Sequence, residues 1–219
     1  MRNCIEIKGV SKTFNKVSVL NNINLNIKIG EQAVLMGRSG SGKSTLMYII
    51  GGLESADNGS IIYGNDDILK FSDAKMSEFR NRSIGFVFQF HYLLSSLNCI
   101  ENILLPARIG GHKIGEVKKR VLNYAEDLDV ANLLKKFPHE LSGGEQQRMN
   151  ILRAISLRPK LILCDEPTGN LDSNNSNKVI DLLKRLASES NSSLLVVTHD
   201  NEVSDSFSNH YNIVDGRIS

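Results

Sequence analysis

Residues 33–46 read AVLMGRSGSGKSTL. The apolar run at 33–36 has the length and composition of a buried strand, the glycine-rich stretch after it has room to curl, and Lys43, Ser44, Thr45 and Leu46 open a helix. Gly37, Gly42, Lys43 and Ser44 satisfy the spacing G-x-x-x-x-G-K-[ST]. Glycines let successive backbone N–H groups converge on one anion. The helix start adds unpaired N–H groups and the positive end of a dipole. Lys43 can reach the β- and γ-phosphates of a nucleotide, and the Ser44 hydroxyl can ligate Mg²⁺. A merely flexible Gly/Ser loop would need neither the strand before it nor the helix after it. The expected phosphate-holding set is therefore Gly37, Arg38, Ser39, Gly40, Ser41, Gly42, Lys43, Ser44 and Thr45.

Outward from this loop, the whole chain bounds the possibilities. Its 219 residues suit one domain, with room for a subdomain and a real core. A hydrophobic share of 41% and a charged share of 23% are ordinary for a globular protein. The net charge of +2 is too small to argue for a nucleic acid or an anionic membrane, so no nucleic-acid partner is expected. Cys4, Cys99 and Cys164 are odd in number, scattered and without metal spacing, which fits buried free thiols in a reducing compartment. The chain opens without a charged-then-apolar leader, and no apolar run approaches the length of a membrane span. The expected location is cytoplasmic, with any membrane role exercised through a partner.

Period-two alternation marks strands at 4–10 and 23–29, and short apolar runs mark further strands at 59–63, 84–88, 161–164, 194–198 and 211–214. The helix that opens at Lys43 should stop at Gly51-Gly52. A second helix is expected over 72–82 behind the capping residue Ser72. Residues 90–158 read as all-helical: 98–105 until Pro106, then 116–128, then 143–157. Helices at 176–188 and 202–207 complete the pattern, and the Ser/Asn-rich 173–177 reads as a loop and cap. The organisation is one domain, 1–219, whose α/β frame (1–89 and 159–219) carries a helical insertion at 90–158.

Two stretches accompany the phosphate loop. Residues 161–166, LILCDE, form an apolar strand ending in two carboxylates. A strand tip beside a phosphate loop is where an Mg²⁺-organising Asp165 belongs. Glu166, one residue on, can serve as base for an attacking water. Residues 141–146, LSGGEQ, form a second Gly-rich helix start that offers a hydroxyl and N–H groups to an anion. Ser142 and Glu145 also have the spacing of a capping box, which by itself does not require Gly143 and Gly144.

Taken together, GRSGSGKS, LSGGEQQR, LILCDEPTGNLDS and VVTHD resemble the nucleotide-binding domain of ABC ATPases, in order and over the whole chain. The resemblance implies an α/β P-loop NTPase core with an antiparallel β subdomain and an inserted α-helical subdomain. ATP and Mg²⁺ are the implied cofactors. It further implies that Phe14 stacks on adenine and that Gln89 senses Mg²⁺ and the attacking water. Ser142, Gly143, Gly144 and Glu145 would contact the nucleotide of a second subunit, with Ser142, Gly144 and Asp172 at the interface of an ATP-bound homodimer. Ser44, Gln89 and Asp165 would serve the metal, Glu166 would be the general base, and His199 the switch at the γ-phosphate.

Residues 79–106, with ELSGGEQQR and DEPTGNLDS, resemble the branch that holds the lipoprotein-releasing LolD-type and the MacB-type ATPases. The run QFHYLL at 89–94 leans to the lipoprotein-releasing type. The implied assembly is a homodimer under two permease subunits that dock near Gln89 to Leu94, on the cytoplasmic face of the inner membrane. A MacB-type efflux ATPase and an FtsE-type division ATPase are the alternatives. One departure stands out: where the family continues with small residues (VAIARA), this chain has Met149-Asn150-Ile151-Leu152-Arg153-Ala154, with Asn150 and Leu152 as the exceptions. This is expected to matter for helix packing rather than chemistry.

Overall fold

The computed structural model describes residues 3–169 and 173–218, with the side chains of 173–175 left aside. Two sheets organise the chain. The first is antiparallel, in the order β2-β1-β4-β5, built from β1 (Asn3–Phe14), β2 (Val17–Lys28), β4 (Asn58–Tyr63) and β5 (Asp66–Asp67). The second has the order β10-β9-β3-β8-β7-β6. Its members are β3 (Gln32–Met36), β6 (Ile84–Val87), β7 (Leu161–Asp165), β8 (Ser193–Thr198), β9 (Asn209–Val214) and β10 (Arg217–Ile218). All pairings in it are parallel except the terminal β9–β10 hairpin.

The apolar runs of the second sheet follow from burial on both faces. In β7, Leu161 and Leu163 point into a core shared with the antiparallel sheet, whereas Ile162 and Cys164 point into a core shared with helices. β3 and β8 divide the same way: Ala33, Leu35, Leu195 and Val197 face one side, Val34, Leu194 and Val196 the other. Helix α1 (Lys43–Ile50) lies in the first core, burying Leu46, Met47, Ile49 and Ile50 completely, at about 1.5–3 kcal/mol for each large side chain. It stops at Gly51, as the sequence predicts.

The opposite core is covered by α3 (Cys99–Ile109), α4 (Ile114–Asp127), α5 (Gly143–Ile155) and α6 (Ser173–Glu189). Helix α2 (Asp73–Ser83), capped by Ser72, and the short α7 (Asn201–Asp205), capped by Asp200, complete the set. Residues 90–158 hold α3, α4, α5 and two single 3₁₀ turns, with no strand among them.

Two local expectations are corrected. Pro106 does not end its helix; α3 runs on to Ile109. A proline keeps a helical φ and forfeits one backbone hydrogen bond. The Pro106 carbonyl gains the Asn81 side-chain amide at 2.8 Å as well as the Gly110 N–H, and Ala107, next in line, is fully buried. Helix α6 starts at Ser173, so the Ser/Asn-rich stretch is helical backbone rather than loop. The three cysteines are free and buried. Burial raises the thiols of Cys4 and Cys164 above their usual range and lifts that of Cys99 to about 11.

Candidate active site

Parallel strands all end on one edge of their sheet, and ligands gather there. The C-terminal ends of β3, β8, β7 and β6 deliver the 37–42 loop, Thr198-His199, Asp165-Glu166 and Gln89 in adjacent positions. Between them lies a cleft of about 560 Å³ lined by Val19, Ser39, Gly40, Gly42, Lys43, Ser44, Thr45, Gln89, Asp165, Glu166 and His199.

The loop's floor is an anion seat. Gly42, at φ 100, is the residue before α1 and offers no side-chain cap, and the first turn of the helix carries no acidic residue. The first-turn N–H groups and the dipole behind them therefore carry no compensating carboxylate from the helix's own first turn. A Cβ on Gly37 would stand 2.5 Å from the Ile213 carbonyl oxygen, so only glycine lets the loop leave β3 against β9. Lys43, almost fully buried, donates to the carbonyls of Gly37 at 2.8 Å and Arg38 at 3.0 Å. The Ser41 hydroxyl oxygen is buried and unpartnered among the described residues. Converging amides, an ammonium and hydroxyls are the donor set that a polyphosphate accepts from.

Asp165 is held by two hydroxyls. Ser44 donates to Oδ1 and Tyr48 to Oδ2, each at 2.9 Å. Burial pushes the Asp165 carboxyl above its ordinary range, against these hydroxyls and the nearby Lys43 charge. Tyr48 lies one turn beyond Ser44 on the same face of α1, and sequence reading overlooked it. Replacing Tyr48 with Phe leaves one carboxylate oxygen buried without that donor, at a cost of about 1–3 kcal/mol. The nucleotide-free Tyr48→Phe chain is expected to melt roughly 2–8 °C lower. An unchanged melting temperature would mean that water replaces the hydroxyl at no cost.

Glu166 sits at φ 44, a left-handed backbone that a non-glycine residue holds only when its surroundings fix it. Its N–H donates to the Val197 carbonyl, and its own carbonyl accepts from Gly169. The carboxylate accepts from the Thr198 hydroxyl at 3.0 Å and lies 2.6 Å from His199 Nδ1. The Glu166 side chain is only 14% exposed, whereas that of His199 is 69% exposed. A carboxylate so aimed can take a proton from a water in the cleft, and the imidazole beside it can reach a phosphate.

Other expected site residues lie elsewhere. Gly37, Arg38 and Ser41 line a neighbouring cleft on the far side of the loop, against Val17, Val19 and the 212–216 hairpin. Phe14 ends β1 and is 40% exposed, so it is not a core aromatic. Its ring carries the Lys12 ammonium at 4.8 Å and does not line the phosphate cleft. Ser142, Gly143, Gly144 and Glu145 open α5 outside the cleft. The capping box forms there: Glu145 accepts from the Ser142 N–H at 2.7 Å and from its hydroxyl at 2.8 Å. Asp172 lies outside the described residues.

Known proteins resemble this chain in sequence and in fold. The family model described as ABC transporter matches residues 20–169. The chain is 42% identical to a lipoprotein-releasing system ATP-binding protein, LolD, of Geobacter metallireducens, over 96% of this chain and 94% of that one. It is 41% identical to the protein of the same description in Bdellovibrio bacteriovorus, over 96% of each. Among solved structures, a dimeric bacterial ABC transporter cassette superposes with a TM-score of 0.89 at 37% identity, over 98% of this chain and 96% of that one. A dimeric post-hydrolysis cassette bound to ADP and Pi superposes at 0.86 with 35% identity, over the same shares.

Proposed function

The chain belongs to the ABC transporter family, and on that premise we propose that it is the ATP-hydrolysing subunit of a membrane complex that releases lipoproteins. What supports the reading is the assembly of Lys43, Ser44, Gln89, Asp165, Glu166 and His199 around one cleft, in a chain that matches lipoprotein-releasing ATPases nearly end to end.

In this reading the 37–45 loop cradles the phosphates of ATP. Lys43 turns its ammonium from the loop carbonyls to the β- and γ-phosphates. Ser44, Asp165 and Gln89 supply oxygens of the hard type that Mg²⁺ takes. When bound, Mg²⁺ neutralises charge on the phosphates. Glu166 accepts the proton of the attacking water, while Thr198 and His199 hold its carboxylate in line and His199 reaches the γ-phosphate. Phe14 stacks on adenine. The Ser142–Glu145 helix start, lying outside the chain's own cleft, closes over the nucleotide of a second copy, with Asp172 beside it, so the working form is an ATP-bound homodimer.

No helix among the described residues is long and apolar enough to cross a membrane. In this reading force passes to permease subunits, as the match to lipoprotein-releasing ATPases suggests, and the chain is held peripherally on the cytoplasmic face of the inner membrane. Phe90, Tyr92 and Leu94 are 63%, 65% and 47% exposed, whereas Leu93 packs into the helical core. Tyr92 borders an apolar groove of about 460 Å³ that includes Phe86, Phe88, Leu105, Pro106 and Ile109. An amphipathic helix of the permease fits such a groove. Tyr92→Ala and Leu94→Ala are each expected to weaken permease binding by about 1–3 kcal/mol. Co-purification with the membrane subunits, beside a melting curve and ATP binding of the free chain, tests this. Unchanged co-purification, or a collapsed melting temperature, would remove the docking surface from these side chains.

A further inference from the structure

Three polar residues of α5 follow one another at intervals of three: Gln147, Asn150 and Arg153. That spacing stacks them along one face of the helix. Each donates to a backbone carbonyl outside the helix, Gln147 to the turn after β7, Asn150 and Arg153 to the segment after β6. Gln147 Nε2 reaches the Pro167 oxygen at 2.6 Å, and Asn150 Nδ2 reaches the Phe88 oxygen at 3.0 Å. The Arg153 guanidinium reaches both His91 and Tyr92 oxygens at 2.7 Å. The three are also joined laterally. Asn150 donates to Gln147 Oε1 at 3.3 Å, and Arg153 donates to Asn150 Oδ1 at 3.0 Å. Gln147 and Asn150 are 2% and 0% exposed.

We propose that this ladder clips α5 to the chain on both sides of Gln89, so that a displacement of the helix start at Ser142 is transmitted to Gln89. The inference rests on the reading of Gln89 as the metal- and water-sensing residue given above. A buried Asn that merely satisfied itself would bond within its own helix or to its neighbours in the bundle. Here every outward bond ends beside a residue of the cleft or of the docking segment. Phe88 immediately precedes Gln89, Pro167 immediately follows Glu166, and His91 and Tyr92 belong to the exposed run at the groove. The Gln147–Pro167 bond is buried and the Asn150–Phe88 bond partly so, and there loss of the donor leaves a carbonyl poorly paired, whereas the Tyr92 carbonyl is open to water. Segment 88–92 is otherwise irregular backbone, and Tyr92 is held at φ 47. Asn150 is therefore a positioning residue: it touches no phosphate and acts through the chain that carries Gln89.

The test compares the full chain with its Asn150→Ala and Arg153→Gln variants by amide hydrogen exchange and by steady-state ATP hydrolysis with Mg²⁺. Asn150→Ala is expected to speed exchange over residues 88–94 about tenfold or more, with the strands β3, β7 and β8 unchanged. The kcat should fall by roughly tenfold and KM for ATP should stay within about twofold. Arg153→Gln, at a less buried position, should loosen the same segment from its far end, and it carries the test should Asn150→Ala fail to fold. Exchange over 88–94 equal to that of the parent overturns the proposal. So does faster exchange spread evenly over the central strands, or faster segment exchange with parental kcat. Gln89→Ala, measured in parallel, separates the two readings. Parental turnover in that variant refutes the sensing role of Gln89, and the clip is then decided by the exchange result alone.

Discussion

Glu166→Gln is expected to bind ATP as the parent chain does and to hydrolyse it about 10²–10⁴-fold more slowly. The substitution conserves shape. Glutamine can occupy the same left-handed position and keep an oxygen as acceptor for Thr198 or for the His199 ring, each now within 3.0 Å of the carboxylate. What it loses is the ability to take a proton from water. Because nothing in the phosphate loop changes, affinity for nucleotide should hold, and a closed ATP-bound dimer should accumulate. Phosphate release and size-exclusion chromatography in ATP measure the two halves of this expectation. Turnover near that of the parent would remove Glu166 from the role of base.

Mixing two inactive variants is expected to restore hydrolysis. Lys43→Ala removes the ammonium from the phosphate seat. Ser142→Asn keeps an N-cap acceptor for α5 but puts a larger amide on the face offered to a partner's nucleotide. Each should be nearly inactive as a homodimer. A mixed dimer holds one site with an intact Lys43 from one chain and an intact Ser142 from the other. Random pairing makes roughly half the dimers mixed, so an equal mixture should recover about a quarter of the parent's activity. The separation of the Ser142 helix start from the cleft of its own chain motivates the experiment. A mixture no more active than its components would mean that each chain works alone.

The α/β frame was legible because a sheet buried on both faces leaves uninterrupted apolar runs, as at Ile162, Leu163 and Cys164, and because the loop after β3 has one recurrent chemistry. The two-residue strands β5 and β10 were not legible, since two residues carry no period. Pro106 misled because helix punctuation is read locally, whereas the packing that carries α3 past it is not local. The same holds within the site. Lys43, Asp165 and Glu166 announce themselves by neighbouring residues. Tyr48, Thr198 and Asn150 depend on partners 117, 32 and 62 residues away, and so read as ordinary members of apolar elements. Asn150 in particular was read as a packing variation, and its side chain proves to hold the backbone beside Gln89. The capping box at Ser142 was legible because both its members lie within four residues.

The burial of all three cysteines has a practical outcome for spectroscopy. Cys4, Cys99 and Cys164 are shielded from reagents, and each thiol is held protonated near neutral pH by the same burial. Since the thiolate is the reactive form, the parent chain presents a silent background to maleimide dyes and spin labels. A single cysteine placed at the exposed Val214, beside the phosphate loop's outer cleft, would then label at one position without removal of a native thiol. Paired donor and acceptor dyes on two such chains would report the opening and closing of the dimer in real time, in a sequence otherwise left as it is.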